Sequence, residues 1–527
     1  MVKSDIKHKN YPQADLKKVW LDIKDKRIVQ IGFGAIGSCM LHLYRRHIHM
    51  NDPSNLIIID MNKNVIPSSN DERKGATFIH AKVTKQNYLQ MLNKLLRPGD
   101  MLVDLAWCID TLSLTEWCHA NNVLYINAAV EEWEVDQSTP DKDPREYTLY
   151  DRQMKIQETA HGWKKDKINP TNLLTCGFNP GTVSPLVKVM MTEWVDWVAK
   201  NHPKHPDLKE MLKIKDMLVN GSNDEESKKP YWARLANLLT IETIHVSEKD
   251  TLRSKSIRPN DEFWCMWSAY GAWEEMTAPA EMGWGTHETM KEDVHGYKQG
   301  PKNQVCLSRR GCETWVESFV PYSGNYAGSV TRHEEAYSIS EYLTDHDAKG
   351  KAIYRPSVYY VYDPCADTHA SLAENRTKGY PQLPHSKYFV PKKDLLPDGK
   401  DEIGNFILSR DFGCWWSGSI QDVELSYKIL GGQGPTVLVV AASVLAGVIY
   451  CFKHPNMGLI HPESCNPFEF MYYVYPYIPP FVSGHVSGWG RKIQNRYAAG
   501  GKVKELISED TQLKKGECRW TFDRLLL

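Results

Sequence analysis

The stretch Arg27-Ile28-Val29-Gln30-Ile31-Gly32-Phe33-Gly34-Ala35-Ile36-Gly37 constrains the fold more than any other. A short apolar strand runs straight into G-x-G-x-x-G, and Ser38 to Arg46 continues with helix-compatible spacing. Gly32 permits the tight turn, Gly34 lets a pyrophosphate approach the backbone, and Gly37 lets the helix pack closely on the strand. Ala35 and Ile36 open the helix, whose free N–H groups and partial positive charge attract phosphate. A second apolar strand, residues 56–59, ends in Asp60, 26 residues beyond Gly34. A carboxylate there accepts from both ribose hydroxyls and repels a 2′-phosphate, so NAD is expected over NADP.

Further apolar runs at 100–105 and 123–127 alternate with helical stretches, one of them at 112–119. That alternation implies a parallel, doubly wound sheet covered on both faces, an α/β Rossmann-type domain. Residues 172–176 read as its last strand. Residues 1–25 are polar and read as a loose arm or covering segment. The charged stretch at 200–230 reads as an exposed insertion. From about 231 to 430, short strands rich in Trp and Tyr alternate with Gly/Pro turns, which suggests a mixed α+β domain. The expected organisation is a dinucleotide-binding domain with an N-terminal arm at 1–180, an α+β substrate and dimerisation domain at 181–430, and C-terminal helices at 431–527 packing back on the first domain.

Composition narrows the class. The 527 residues carry 64 Lys+Arg against 65 Asp+Glu, so no basic field points to nucleic acid as a partner. Hydrophobic residues at 42% and charged residues at 24% are ordinary for a globular chain. The N-terminus has no signal-peptide stretch. The longest apolar run, 436–452, is interrupted by Ser443 and Gly447, begins after Pro435 and stops at Lys453-His454-Pro455; it reads as a buried helix rather than a membrane span. The 12 Cys include no C-x-x-C pair, which argues against a zinc ribbon or a thioredoxin-type site; no metal site is expected. Reduced core thiols in a cytoplasmic protein are the expectation.

The aromatic content is unusual, with 17 Trp, 26 Tyr and 13 Phe. The densest stretch, Trp273-Glu274-Glu275 to Pro279-Ala280-Glu281-Met282-Gly283-Trp284-Gly285-Thr286-His287-Glu288, mixes Trp, carboxylates and Gly. Glu248-Lys249-Asp250, Glu131-Glu132-Trp133 and Thr331-Arg332-His333-Glu334-Glu335 are acid-rich as well. Carboxylates and indole faces bind organic ammonium ions, each exposed cation–π contact contributing about 0.5–1 kcal/mol. Taken singly, each Trp is better explained as core and each acid as a solvated face.

Taken together, these stretches resemble the bacterial-type homospermidine synthases, relatives of the saccharopine dehydrogenases. The resemblance rests on GFGAIG at 32–37, VEEW at 130–133, GFNPGTVS at 177–184, SEKDT at 247–251, PAEMGWGTHE at 279–288 and TRHEEAYSI at 331–339, and spans about 25 to 480. The sequence departs from the family at Glu132, where proline is expected, and in a longer 200–230 segment. The resemblance implies an enzyme that joins two putrescine units into homospermidine with loss of ammonia. Spermidine serves as an alternative aminobutyl donor, and NAD is a recycled hydride carrier. It implies that Trp273 lies against the cationic substrate or imine, that Glu281 binds an ammonium group, and that Glu248 holds the other end of the diamine. It further implies that Glu131 adds negative charge, that Asn179 orients the amine or the nicotinamide amide, that His333 shuttles protons, and that Asp110 contributes from the end of a strand. A homodimer is expected. Two other readings stay open. One is a saccharopine-type dehydrogenase acting on a secondary amine, which needs a cationic clamp that these acid-rich stretches do not offer. The other is a redox-sensing NAD-binding module without activity.

Overall fold

A computed structural model describes residues 3–133, 148–221, 224–289, 294–296, 303–381, 386–390, 392–489 and 518–527. Among these residues two sheets dominate.

The first has seven strands, all parallel. Their order is Leu459–Ile460, Asn172–Leu173, Leu124–Asn127, Met101–Asp104, Ile28–Ile31, Leu56–Asp60 and Thr77–His80. The central strands are buried on both faces, which is why they read as unbroken apolar runs. Strand order reverses between Ile28–Ile31 and Met101–Asp104, so a crevice opens at their carboxyl ends, where such folds bind ligands. The apolar run lies on the helix Pro435–Lys453, 89% buried over its most apolar window. It packs on the helix Ala35–His47 and on Leu124–Asn127. At Gly447 a Cβ would meet Ile126 Cδ1 at 2.5 Å and Cys176 Sγ at 2.7 Å, so any larger residue must push these side chains aside.

The second sheet is mixed and has twelve strands among the described residues. Its spine runs Phe481–Ser487, Gly413–Asp422, Lys400–Ser409, Ile241–Asp250, Ser357–Asp363, Pro279–Gly283 and Gln304–Arg310. The pair Ile241–Asp250 and Ser357–Asp363 is parallel, and the other pairs along this spine are antiparallel.

Three local expectations are corrected. The N-terminal segment is no loose arm: Lys3–Ser4 and Lys7–His8 pair with Phe481–Ser487, and Leu21–Lys24 pairs with Ile48–Met50. Polar side chains mislead there because an edge strand bonds through its backbone. The charged stretch at 200–230 is not an exposed insertion but two helices, Leu208–Asn220 and Glu225–Leu238, whose Met211, Ile214, Leu218 and Trp232 are buried. Of the C-terminal stretch 431–527, the long helix and Leu459–Ile460 lie with the first sheet. Phe481–Ser487 belongs to the second, and Trp520, Phe522 and Leu525 join that sheet's core. Residues 490–517 of the expected tail, and Ser222 and Asn223 of the charged stretch, lie outside the described residues.

Candidate active site

Where the strand Ile28–Ile31 ends, Gly32 adopts φ +95°, a left-handed conformation natural to glycine. A Cβ on Gly37 would stand 2.3 Å from the Gly32 carbonyl oxygen, so the turn closes only over a bare Cα. At Gly34 the space a Cβ would take is open, and Gly34 caps the helix Ala35–His47 without a side-chain acceptor. The helix therefore begins with N–H groups turned toward the crevice, a cradle of the kind that holds a pyrophosphate. Asp60, at the end of Leu56–Asp60, accepts from the Phe33 N–H at 2.6 Å and the Asn62 N–H at 2.7 Å, which fixes its carboxylate beside the turn.

These residues form one end of a cavity of about 720 Å³. Gly32, Gly34, Ala35, Ile36, Gly37 and Asp60 all line it. The other end lies toward the second sheet and is lined by Glu131, Asn179, Glu248, Glu275, His333 and Tyr360. The predicted dinucleotide residues and four of the seven predicted amine-site residues thus share one space.

Glu248 lies near the end of the strand Ile241–Asp250. Its Oε2 accepts from Asn179 Nδ2 at 2.8 Å and from the Tyr360 hydroxyl at 2.6 Å. Burial pushes its pKa up to about 8, and the charge of Asp401 adds to the rise; the two hydrogen bonds resist it. Asn179 is placed by the turn Gly177 to Gly181, closed by the Gly177 N–H on the Pro180 carbonyl at 2.7 Å. Gly181 there has φ +137° and a Cβ position overlapping the Gly177 backbone.

His333 precedes the helix Glu334–Tyr342. Its Nδ1 lies 3.0 Å from Glu335 and its Nε2 3.2 Å from Glu275 Oε2. Burial alone would depress its pKa, but the two carboxylates outweigh burial and hold it well above the ordinary histidine value. The ring is clasped by two acids, which favour its protonated form, and its centroid lies 4.3 Å from that of Tyr360.

Glu131 is 8% exposed, and burial raises its pKa to about 7, with Arg152 opposing the rise. Asp104, also on the cavity wall, is pushed up to about 7 by burial. Glu334 takes the Val130 N–H at 3.0 Å and is raised by burial too. Glu248, Glu131 and Glu334 are therefore carboxyl groups that burial drives toward neutrality.

Three predicted residues lie off the wall. Asp110 is the N-cap of the helix Thr111–Ala120 and accepts from Ser113 N at 2.7 Å and Ser113 Oγ at 2.5 Å, so capping occupies its carboxylate. Glu281, 1% exposed, accepts from the Leu149 N–H at 3.1 Å and the Tyr150 N–H at 3.4 Å, with Arg332 Nη1 at 3.7 Å. It secures the start of the helix Leu149–His161. Trp273 stands behind the wall, half-buried against the core, its ring centroid 6.1 Å from that of Tyr270. The side chains that line the cavity without an assigned part include Tyr360, Glu275, Glu334, Trp107, Trp267 and Tyr270. Glu275 and Glu334 stood within the acid-rich stretches, so composition held a signal for them; nothing in the sequence separated Tyr360 from its aromatic neighbours on one strand.

Profiles for the saccharopine dehydrogenase NADP binding domain and the saccharopine dehydrogenase C-terminal domain match residues 28–168 and 177–390. The fold and the cavity thus define a two-domain enzyme of the saccharopine dehydrogenase class, with a dinucleotide turn facing a buried acidic wall. The homospermidine synthase of Blastochloris viridis is 32% identical over 470 residues, covering 88% of this chain and 92% of that protein. That of Mesorhizobium japonicum is 30% identical over 474 residues, covering 88% and 90%. The homospermidine synthase of Legionella pneumophila, solved as a crystal structure in complex with NAD, matches with a TM-score of 0.78 at 27% identity, covering 97% of this chain and 99% of that one. The chain belongs to the homospermidine synthase family.

Proposed function

We propose that this protein joins two molecules of putrescine into homospermidine with release of ammonia, and that spermidine is a second aminobutyl donor, releasing diaminopropane. The observation that carries this reading is the single cavity with the glycine turn and Asp60 at one end and Glu131, Glu248, Glu275 and Glu334 at the other. Gly32, Gly34 and Gly37 would hold the pyrophosphate of NAD, the helix beginning at Ala35 its charge, and Asp60 its ribose. The matching domain is described as NADP-binding, but a carboxylate at this strand end repels a 2′-phosphate, which supports NAD. When bound, NAD supplies an acceptor for hydride from an amine-bearing carbon and a donor that returns it to the coupled imine.

The remaining tasks fall to the chain's own groups. An amine must be neutral before its carbon can be oxidised, so an ammonium proton must leave. Glu248, with a pKa of about 8, is matched to exchange that proton near neutral pH. Asn179 and Tyr360 hold its Oε2 in place while it does so. His333, 3.2 Å from Glu275, anchors that carboxylate at the wall, where it faces a substrate ammonium or iminium. Burial of the wall limits water, so the substrate iminium is captured by a second amine rather than hydrolysed to an aldehyde. A saccharopine-type substrate would need cations for its carboxylates. Among the described residues the lining offers only Lys82 and His333, and His333 is already held between two acids.

Incubation with putrescine alone, followed by mass spectrometry of products and of protein-bound nucleotide, tests the reading. Homospermidine without net NADH is expected. Stoichiometric NADH with no triamine would overturn it, and nucleotide binding without any diamine reaction would favour the sensing module. A cytoplasmic location is supported by twelve cysteines, all free of disulfides, and localisation of a tagged chain tests it. A homodimer is supported by the family resemblance, and light scattering of the purified protein tests it.

A further inference from the structure

Asn179 and His333 act on Glu248 from two different elements, one through its hydrogen bond and the other through its charge, and both lower the Glu248 pKa. Asn179 stands in the turn before the helix Val183–Asn201, and His333 directly precedes the helix Glu334–Tyr342. Ser184 lies five residues beyond Asn179, and Ser338 five residues beyond His333. Their two hydroxyls meet on one atom: Glu463 Oε1 accepts from Ser184 Oγ at 2.6 Å and from Ser338 Oγ at 2.6 Å. Glu463 is 3% exposed and sits in the short turn Pro462–Ser464 after the strand Leu459–Ile460. Burial raises its pKa; the two hydroxyls oppose the rise and the charge of Glu335 adds to it. That turn is itself pinned. Lys188, one helical turn beyond Ser184, donates from Nζ to the Glu463 carbonyl at 2.9 Å and to the Cys465 carbonyl at 2.8 Å. Between Asn179 and Ser184 the backbone closes on itself, with the Thr182 N–H on the Gly177 carbonyl and the Ser184 N–H on the Gly181 carbonyl, both at 3.0 Å. A displacement of Ser184 is therefore felt at Asn179, and one of Ser338 is carried along its helix to His333. Among the described residues, none of Ser184, Ser338 and Glu463 lines the cavity.

We infer that Glu463 is a positioning residue for the amine chemistry: one buried oxygen clasps the helix behind Asn179 to the helix behind His333 and so fixes the spacing of the two groups that act on Glu248. It works through Asn179 and His333, not on the substrate. The inference rests on the diamine reading above. Positioning of this kind bears on turnover more than on binding, because a displacement of about 1 Å at the reacting groups costs up to about 100-fold in rate. Glu248 is faced by Asp401, Tyr360, Asn179 and His333, and the clasp governs only the last two. Loosening it lets Asn179 or His333 drift from Glu248, and the Glu248 carboxyl then holds its proton to higher pH.

The test uses the full-length enzyme carrying its nucleotide, with Ser184→Ala, Ser338→Ala and the double variant. Either single change breaks the bridge, so each is expected to lower kcat by about 10-fold, with the KM for putrescine and the bound nucleotide little changed. A bridge already broken cannot be broken again. The double variant is therefore expected to match the worse single variant within about twofold, whereas independent contributions would multiply to about 100-fold. In each single variant the rise of kcat/KM with pH is expected to move up by about 0.5–1 pH unit, as the groups that favour the ionised Glu248 lose their hold. Ser338→Thr, which keeps the hydroxyl, is expected to fall between wild type and Ser338→Ala. Losses that multiply in the double variant overturn the inference. So does a pH profile left unmoved, or a kcat within about twofold of wild type in both single variants. If wild type itself forms no homospermidine, the functional reading fails; if wild type turns over and the serine variants are additive or indifferent, the clasp alone fails.

Discussion

Glu248, Asp250 and Asp401 share one face of neighbouring strands, because residues two apart on a strand point the same way and the register sets Asp250 opposite Asp401. All three are buried, and burial raises all three pKa values, Glu248 to about 8 and Asp401 to about 7. A carboxyl group that titrates higher in the fold than in the unfolded chain binds its proton better when folded. Its contribution is full below the unfolded value near 4.5 and is lost as pH rises through about 8. Thermal stability should therefore fall between pH 5 and 8, and Glu248→Gln, which stays neutral, should flatten that fall; melting curves across pH read this directly. In turnover, kcat/KM should rise through an apparent pKa near 8 in wild type, and Glu248→Gln should lose that limb. Glu281 makes a different prediction. Its carboxylate faces Arg332 and two backbone N–H groups at the start of a helix, so Glu281→Ala should cost about 2–4 kcal/mol of stability, measured by denaturant unfolding. The sequence carried these acids plainly but not their directions. Asp110 with Ser113 three residues on is a capping pattern that can be read from the letters alone, and the structure uses it so. Trp273 and Tyr270 lie three apart on one helix, and only the packing decides that Tyr270 reaches the cavity while Trp273 stands behind it.

At the scale of elements, the strand–turn–helix at Ile28 to His47 was the most legible part of the chain, because each glycine answers a local backbone demand. Gly37→Ala would force a Cβ to 2.3 Å from the Gly32 oxygen. Because the obstacle is backbone, the turn itself must shift, and loss of bound nucleotide is expected at a small cost in melting temperature. Mass spectrometry of the native protein checks the first and scanning fluorimetry the second. The helices Leu208–Asn220 and Glu225–Leu238 were obscured by charge. Their exposed faces are dense in Lys, Asp and Glu, while Met211, Ile214 and Leu218 keep a helical spacing that a composition average conceals. The N-terminal strands were obscured for another reason: an edge pairing of two residues leaves no side-chain period to read.

Across the whole molecule, distant segments complete each sheet. Residues 518–527 cover the second sheet: Trp520, Phe522 and Leu525 are buried, Arg519 and Trp520 N–H groups bond Glu242, and the Phe522 N–H bonds Glu288. Deleting them removes three buried apolar side chains, each contributing about 1.5–3 kcal/mol, and takes backbone donors from two buried carboxylates, leaving Glu288 the Ser357 hydroxyl. A fall of several degrees in melting temperature is expected, read by calorimetry. No local pattern could have placed this segment, since the carboxylates its backbone bonds, Glu242 and Glu288, lie more than two hundred residues away in the chain. The order of the strands has a mechanical consequence. Described strands of the second sheet come first, the parallel sheet follows, then the second sheet again, then Leu459–Ile460 of the first, and at last Phe481–Ser487 of the second. Four tethers thus cross between the halves, so any movement of one half against the other must bend all four together. On the proposed function, small amines are expected to come and go through a standing portal rather than a gaping clamshell, which would keep the reacting carbon sheltered from solvent.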